Sequence, residues 1–217
     1  MARALGPLLT EWPLKQEAAR IVRRYTGIYS DEVARQQAAL GHPVAGVGPG
    51  DRVKRVRSVL VREATVRLPE EQQPAILISA PGTVEVAYQD GDGAYAATFP
   101  LIVASYVVAS DPQVGGDLAA VLALAATKAL IDGLPGRLDG RVGMVRWQGK
   151  ADNELPPDGD RSRHSSVHRL DVVLLDVLSD TTRLPDLPPD DELVDPGDLP
   201  VVEDTDATAE PVEEITR

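Results

Sequence analysis

Apolar residues recur at Leu14, Ala18, Ile21, Tyr25 and Ile28, at spacings of four, three, four and three, while Lys15, Arg20, Arg23 and Arg24 fall mostly off that line. This is the period of an amphipathic helix. Thr10 is placed to cap it, followed by Glu11, Trp12 and Pro13. Proline is tolerated there because first-turn N–H groups have no intrahelical partner. Gly27 and Ser30 should weaken the helix near its middle, Ser30-Asp31-Glu32 can restart it, and Gly41 with Pro43 ends it. The stripe implies core or subunit contact. It is too narrow and interrupted for a membrane-surface helix.

After a glycine-proline loop at 41–52, which lacks the Gly-Lys-Ser/Thr of a phosphate loop, residues 53–67 mix apolar and basic positions near period two. They read as an exposed strand or extended arm, with Lys54, Arg55, Arg57, Arg62 and Arg67 as a basic stripe. Ala75–Ser79 is a short apolar strand stopped by Pro81-Gly82, and Thr83–Tyr88 alternates. Asp90-Gly91-Asp92-Gly93 supplies hairpin turn chemistry, and it lacks the later carboxylate of a calcium loop. Ala94–Ala109 forms a long strand in which Pro100 implies an edge or bulge position. Asp117 is the expected cap of a second helix, Leu118–Asp132, ended by Gly133 and Pro135. It is apolar almost all round, so it should lie between a sheet and another surface. Val142–Trp147 reads as a strand, 149–163 as a polar loop, and Val167–Leu178 as the last strand. The expected fold is α+β: a mostly antiparallel sheet packed by two helices in the order α-β-β-β-α-β-β, with an acidic extended C-terminal tail.

Charge separates that tail from the rest. The 217-residue chain has a net charge of −12, but residues 180–217 hold thirteen acids and two arginines. Six prolines, no aromatic residue and strong self-repulsion prevent this stretch from burying enough apolar surface to order itself. It is either a solvated tail or an arm, carrying Leu184, Leu187, Leu193 and Leu199, that orders in a neighbouring subunit's groove. The expected division is therefore 1–180 as an α+β domain and 181–217 as the acidic, proline-rich tail. Within the body, residues 1–68 carry twelve bases and six acids, and residues 69–179 carry eight bases and fifteen acids. The body is thus near neutral overall but polarised along the chain.

Composition excludes more chemistry than it suggests. With no cysteine, disulfide scaffolds, thiolate zinc sites and cysteine nucleophiles are all ruled out. No run of eighteen apolar residues and no signal-peptide pattern is present, which predicts a soluble, non-secreted chain. His42, His164 and His168 lack companions at metal-ligand spacing. Ser165 and Ser166 sit beside histidine without a Gly-x-Ser-x-Gly elbow. Asp171 and Asp176, an odd and an even position on one strand, face opposite sides. Trp12 and Trp147 read as packing anchors. No catalytic, cofactor-binding or metal-binding residue is expected, and the chain does not read as an enzyme.

The order of these features resembles the tail terminator (tail-completion, head-to-tail joining) proteins of long-tailed actinobacterial phages. The resemblance rests on Tyr29-Ser30-Asp31-Glu32-Val33-Ala34-Arg35-Gln36-Gln37, on Gln73-Pro74-Ala75-Ile76-Leu77-Ile78-Ser79-Ala80-Pro81-Gly82-Thr83 and on Asp90-Gly91-Asp92-Gly93-Ala94-Tyr95. The alanine-rich helix, Val145-Arg146-Trp147-Gln148-Gly149 and the strand after Arg161-Ser162-Arg163 complete it, over roughly residues 14–180. The resemblance implies a homohexameric ring that caps the tail tube, ends its polymerisation and joins it to the neck. Its partners would be itself, the tail tube protein and the head-tail connector or stopper protein, with DNA only passing through the lumen and no membrane. It would reside in the virion at the tail-neck junction, and in the host cytoplasm during assembly. A polarised body independently favours head-to-tail contacts between identical subunits. Charge division and turn position place the subunit interface at Arg55, Arg57, Arg62 and Arg67 against Asp90, Asp92, Asp152 and Glu154. Competing readings are a stopper or adaptor ring of the same neck, a small ligand-binding or enzymatic domain, and a nucleic-acid-binding protein using residues 52–67.

Overall fold

A computed structural model describes residues 10–61, 68–82, 85–89, 94–158 and 160–179. The fold is α+β, with two helices on one face of a six-stranded, mostly antiparallel sheet. The acidic tail, the DGDG turn, Arg62 and Arg67 lie outside the described residues.

Helix α1 runs unbroken from Glu11 to Ala39, and the Thr10 hydroxyl accepts from the Trp12 N–H at 3.4 Å. Its buried line is Leu14, Ala18, Val22, Thr26, Ser30 and Ala34, flanked by Ala19 and Ile21. The line advances by fours, so it leaves the expected stripe after Ile21. Ile28 is 67% exposed. The midpoint holds because another segment supports it. Arg55 donates to the Gly27 carbonyl and pairs with Asp31 at 2.6 Å, while the Ser30 hydroxyl donates to the same carbonyl at 3.0 Å. A Cβ at position 27 would crowd the Arg55 guanidinium, so the glycine makes room for this brace.

Helix α2 runs from Pro112 to Gly133, six residues longer at its start than the sequence pattern suggests. Its cap is Asp111, whose carboxylate accepts from the Gln113 and Val114 N–H groups at 2.8 and 3.3 Å. Asp117 instead lies within the helix and accepts from the Ala45 N–H at 2.9 Å, tying down the glycine-proline loop. Gly115 continues the helix because it passes close under the His164 ring and Ala109. As expected, α2 is sandwiched: it packs on the sheet and against α1. It is long and apolar enough to cross a bilayer by composition, but most of that stretch is buried within the fold.

Four strands precede α2, one more than expected: β1 Ser58–Val61, β2 Ala75–Ser79, β3 Glu85–Gln89 and β4 Ala94–Ala109. The basic segment contributes β1, which pairs parallel with β2; every other pairing is antiparallel. The main order is β1-β2-β4-β6-β5, and β3 lies beside β4 as well. Residues 102–106 of β4 pair with β2, and 94–98 pair with β3. Pro100 falls between these two partners, so the missing N–H costs no pairing on that margin, although β4 is a central strand in register with β6.

The polar loop expected at 149–163 is a hairpin. Strands β5 (Val142–Asp158) and β6 (Arg161–Ser179) pair along their length, closing at Asp158 and Arg161. Alternation is lost there because the outer half of β5 is exposed on both faces, so no burial selects apolar residues. Register shifts at 142/144, 147/149 and 155/158, with Gly149 at φ +154, mark β5 as an irregular edge. The main core joins α1, α2 and the sheet through Leu14, Val22, Ile76, Leu101, Leu130 and Leu170; Val44, Val53, Val107, Leu118 and Leu122 form a second cluster.

Candidate functional site

A buried polar cluster sits between α2 and the β5–β6 hairpin. His168 points toward α2, where its Nδ1 is 2.8 Å from the Thr127 hydroxyl, and its ring stacks on Trp147 at 5.5 Å. Its Nε2 has no hydrogen-bond partner. Burial pushes the His168 pKa below its ordinary value, and Lys150 acts in the same direction against the opposing pull of Asp152. Asp152 accepts from the Ser166 hydroxyl at 2.5 Å and pairs with Lys150 at 2.8 Å. Burial alone would raise its pKa; those two partners more than offset this and hold it below the usual carboxylate range. His164 lies 3.0 Å from the Ser162 hydroxyl. Ser165 and Ser166 are buried, not displayed on a loop. Among the described residues, no group of three or more His, Asp or Glu side chains could hold a metal ion.

The two tryptophans depart from the packing-anchor expectation. Trp12 is 56% and Trp147 48% exposed. Trp147 buries one face against His168 and donates through Nε1 to the Gly149 carbonyl at 2.9 Å, leaving its other side open at the edge of the sheet. Met144 is also exposed on β5, as are Val86 and Tyr88 on β3.

The residues assigned to a subunit interface fall in several places. Arg55 is braced against α1 through Asp31 and Gly27, so its charge is already partnered within the chain. Arg57 is exposed and makes no ion pair among the described residues. Asp152 is bound by Lys150 and Ser166, while Glu154, opposite His164 in the hairpin register, is exposed. Arg62, Arg67, Asp90 and Asp92 lie outside the described residues. A groove of about 400 Å³ lies between α1 and the 43–52 loop, with Ala34, Ala38, Val44 and Val47 on its walls and Asp31, Arg35, Asp51 and Arg52 also lining it.

The sequence pattern did not show which strands form the sheet margins. Among the described residues, the outer edges of β1, β3 and β5 pair with no strand. Those of β3 and β5 carry large exposed apolar side chains. The signal lay in Val86, Tyr88, Met144 and Trp147, which read as ordinary alternation until their neighbours are known. No family model matches this chain, and no curated protein matches it.

Proposed function

We propose that this protein is a virion structural component, a tail terminator that forms a ring at the head-proximal end of a phage tail tube, ends tube polymerisation and joins the tail to the neck. The observation that carries the reading is that, among the described residues, the β3 and β5 edges pair with no strand and carry exposed apolar residues, on one polarised body. Such edges are templates for pairing with another chain, and proteins that act alone blunt them. A single chain with two different sticky margins is suited to heterologous contacts, which close into rings when the rotation allows. On this reading the ring is a homohexamer, its partners are the tube protein and the connector or stopper protein, and DNA crosses the lumen without being held. The protein works by surface complementarity, in the virion and, before that, in the host cytoplasm.

The test is the mass and symmetry of the purified protein, alone and mixed with tube subunits, by native mass spectrometry and negative-stain microscopy. A closed ring that caps tube ends is expected. A particle that stays monomeric in both conditions would remove the proposal. The groove beside α1 favours a second reading, a small ligand-binding domain, which predicts a monomer or dimer with a defined pocket.

A further inference from the structure

Among the described residues, the β3 and β5 edges pair with no strand, and they match one another in face, direction and charge. Two registers run straight across the sheet: Glu85–Thr98–Val173–Met144 and Val86–Ala97–Leu174–Val142. The exposed part of β3 and the first part of β5 therefore lie at the same end of the sheet, on opposite margins.

Their faces agree as well. Val86 lies opposite Ala97, which belongs to the helix-side core, and Trp147 lies opposite Leu170, which belongs to the same core. Val86 and Tyr88 of β3 and Trp147 of β5 thus stand on the helix-bearing side, whereas Met144, opposite Val173 and beside Arg146, stands on the other. Glu85 shares the other side with Thr98, and Arg146 shares it with Asp171. Glu85 and Arg146 are exposed and make no ion pair among the described residues. Direction agrees too. β4 is antiparallel to β3 and to β6, and β6 is antiparallel to β5, so β3 and β5 run in opposite directions.

We propose that β3 of one copy adds to the β5 edge of the next as an antiparallel strand, continuing the sheet from subunit to subunit. In this seam Glu85 meets Arg146, and Trp147 packs diagonally against Val86. Main-chain hydrogen bonds supply the contact, while the face-matched side chains fix its register. Glu85 is level with Met144 in its own sheet, so pairing it with Arg146 staggers successive copies by two residues along the strands, an offset that strand tilt absorbs in a closed ring. Only the first part of β5 is available. Beyond Trp147 the Gly149 irregularity, Lys150 and the Pro156-Pro157 pair guard the edge, as edge strands commonly require.

The proposal rests on the ring reading and makes it specific, and the absence of native cysteine makes it directly testable. Full-length Glu85→Cys and Arg146→Cys chains are mixed, oxidised and compared with each variant alone, with circular dichroism confirming the fold. A disulfide-linked pair containing one chain of each kind, absent from either variant alone, is expected. Crosslinking of one variant with itself, or none in the mixture, overturns the seam. As a second measurement, Glu85→Arg and Arg146→Glu should each reduce the assembled fraction at least several-fold at low salt, and their combination in one chain should restore it. Intact rings unaffected by the exchanges would refute the seam and leave the ring reading standing. A monomer under all conditions would remove both.

Discussion

His168 shows how one residue links burial to the edge of the sheet. Its Nδ1 has a partner in Thr127, its Nε2 has none, and Trp147 lies over its ring. A second ring proton would be buried without an acceptor, so the folded chain holds the neutral form. The folded pKa lies below the ordinary value of 6.5, and the unfolded chain therefore takes up the proton first as pH falls. Stability is at its full level above about pH 6.5, declines as pH drops through that value, and levels off once the folded state also titrates. Each tenfold difference in proton affinity between the states corresponds to about 1.4 kcal/mol. Urea unfolding at pH 8 and pH 5 measures this, and His168→Gln should flatten the histidine part of the decline. A His168→Gln protein with the full pH dependence would show that other groups carry it. Trp147 fluorescence, in a Trp12→Phe background, should report the same titration.

At the scale of elements, α2 tests which aspartate organises the helix start. Asp111→Ala removes the acceptor for two backbone N–H groups and should cost about 1 kcal/mol by thermal unfolding. Asp117→Ala leaves the helix start intact and frees the Ala45 N–H of the loop, so its effect should fall on proteolysis within 41–52. The apolar run from Leu118 onward was legible, together with both helices, β2, β4 and the α+β class, because periodicity and turn residues record burial directly. The true start of α2 was not, because Gly115 and Gly116 argue against a helix until His164 is known to pack there. The β5–β6 hairpin was hidden for a related reason. Lys150, Asp152 and Glu154 are exposed strand residues whose cross-strand partners lie on β6, and local pattern carries no trace of them. For the interface, only Arg57 and Glu154 keep free charge among the described residues assigned to it, since Arg55 and Asp152 are engaged inside the chain.

For the molecule as a whole, the proposed ring raises the question of which force would join its copies. The chain's first 68 residues carry six more bases than acids, and residues 69–179 carry seven more acids than bases. That polarity draws unlike regions of two copies together at long range, whereas an edge-to-edge seam acts only at contact. The two contributions separate with salt. The Debye length falls from about 10 Å at 0.1 M to about 3 Å at 1 M, so a charge-steered contact weakens while main-chain pairing and apolar packing persist. Reversing Arg57 and Arg62 to glutamate makes the basic region four charges more negative without altering any residue of β3 or β5. Sedimentation at low salt should then show fewer rings and slower assembly, and at 1 M salt the variant and the parent should become nearly indistinguishable. If the variant assembles like the parent at low salt, the basic stripe takes no part in the contact. The mixed-disulfide result would then decide alone whether the edges hold the ring. If the variant fails equally at both salt concentrations, the arginines act through short-range packing, and the polarity of the body is incidental to assembly.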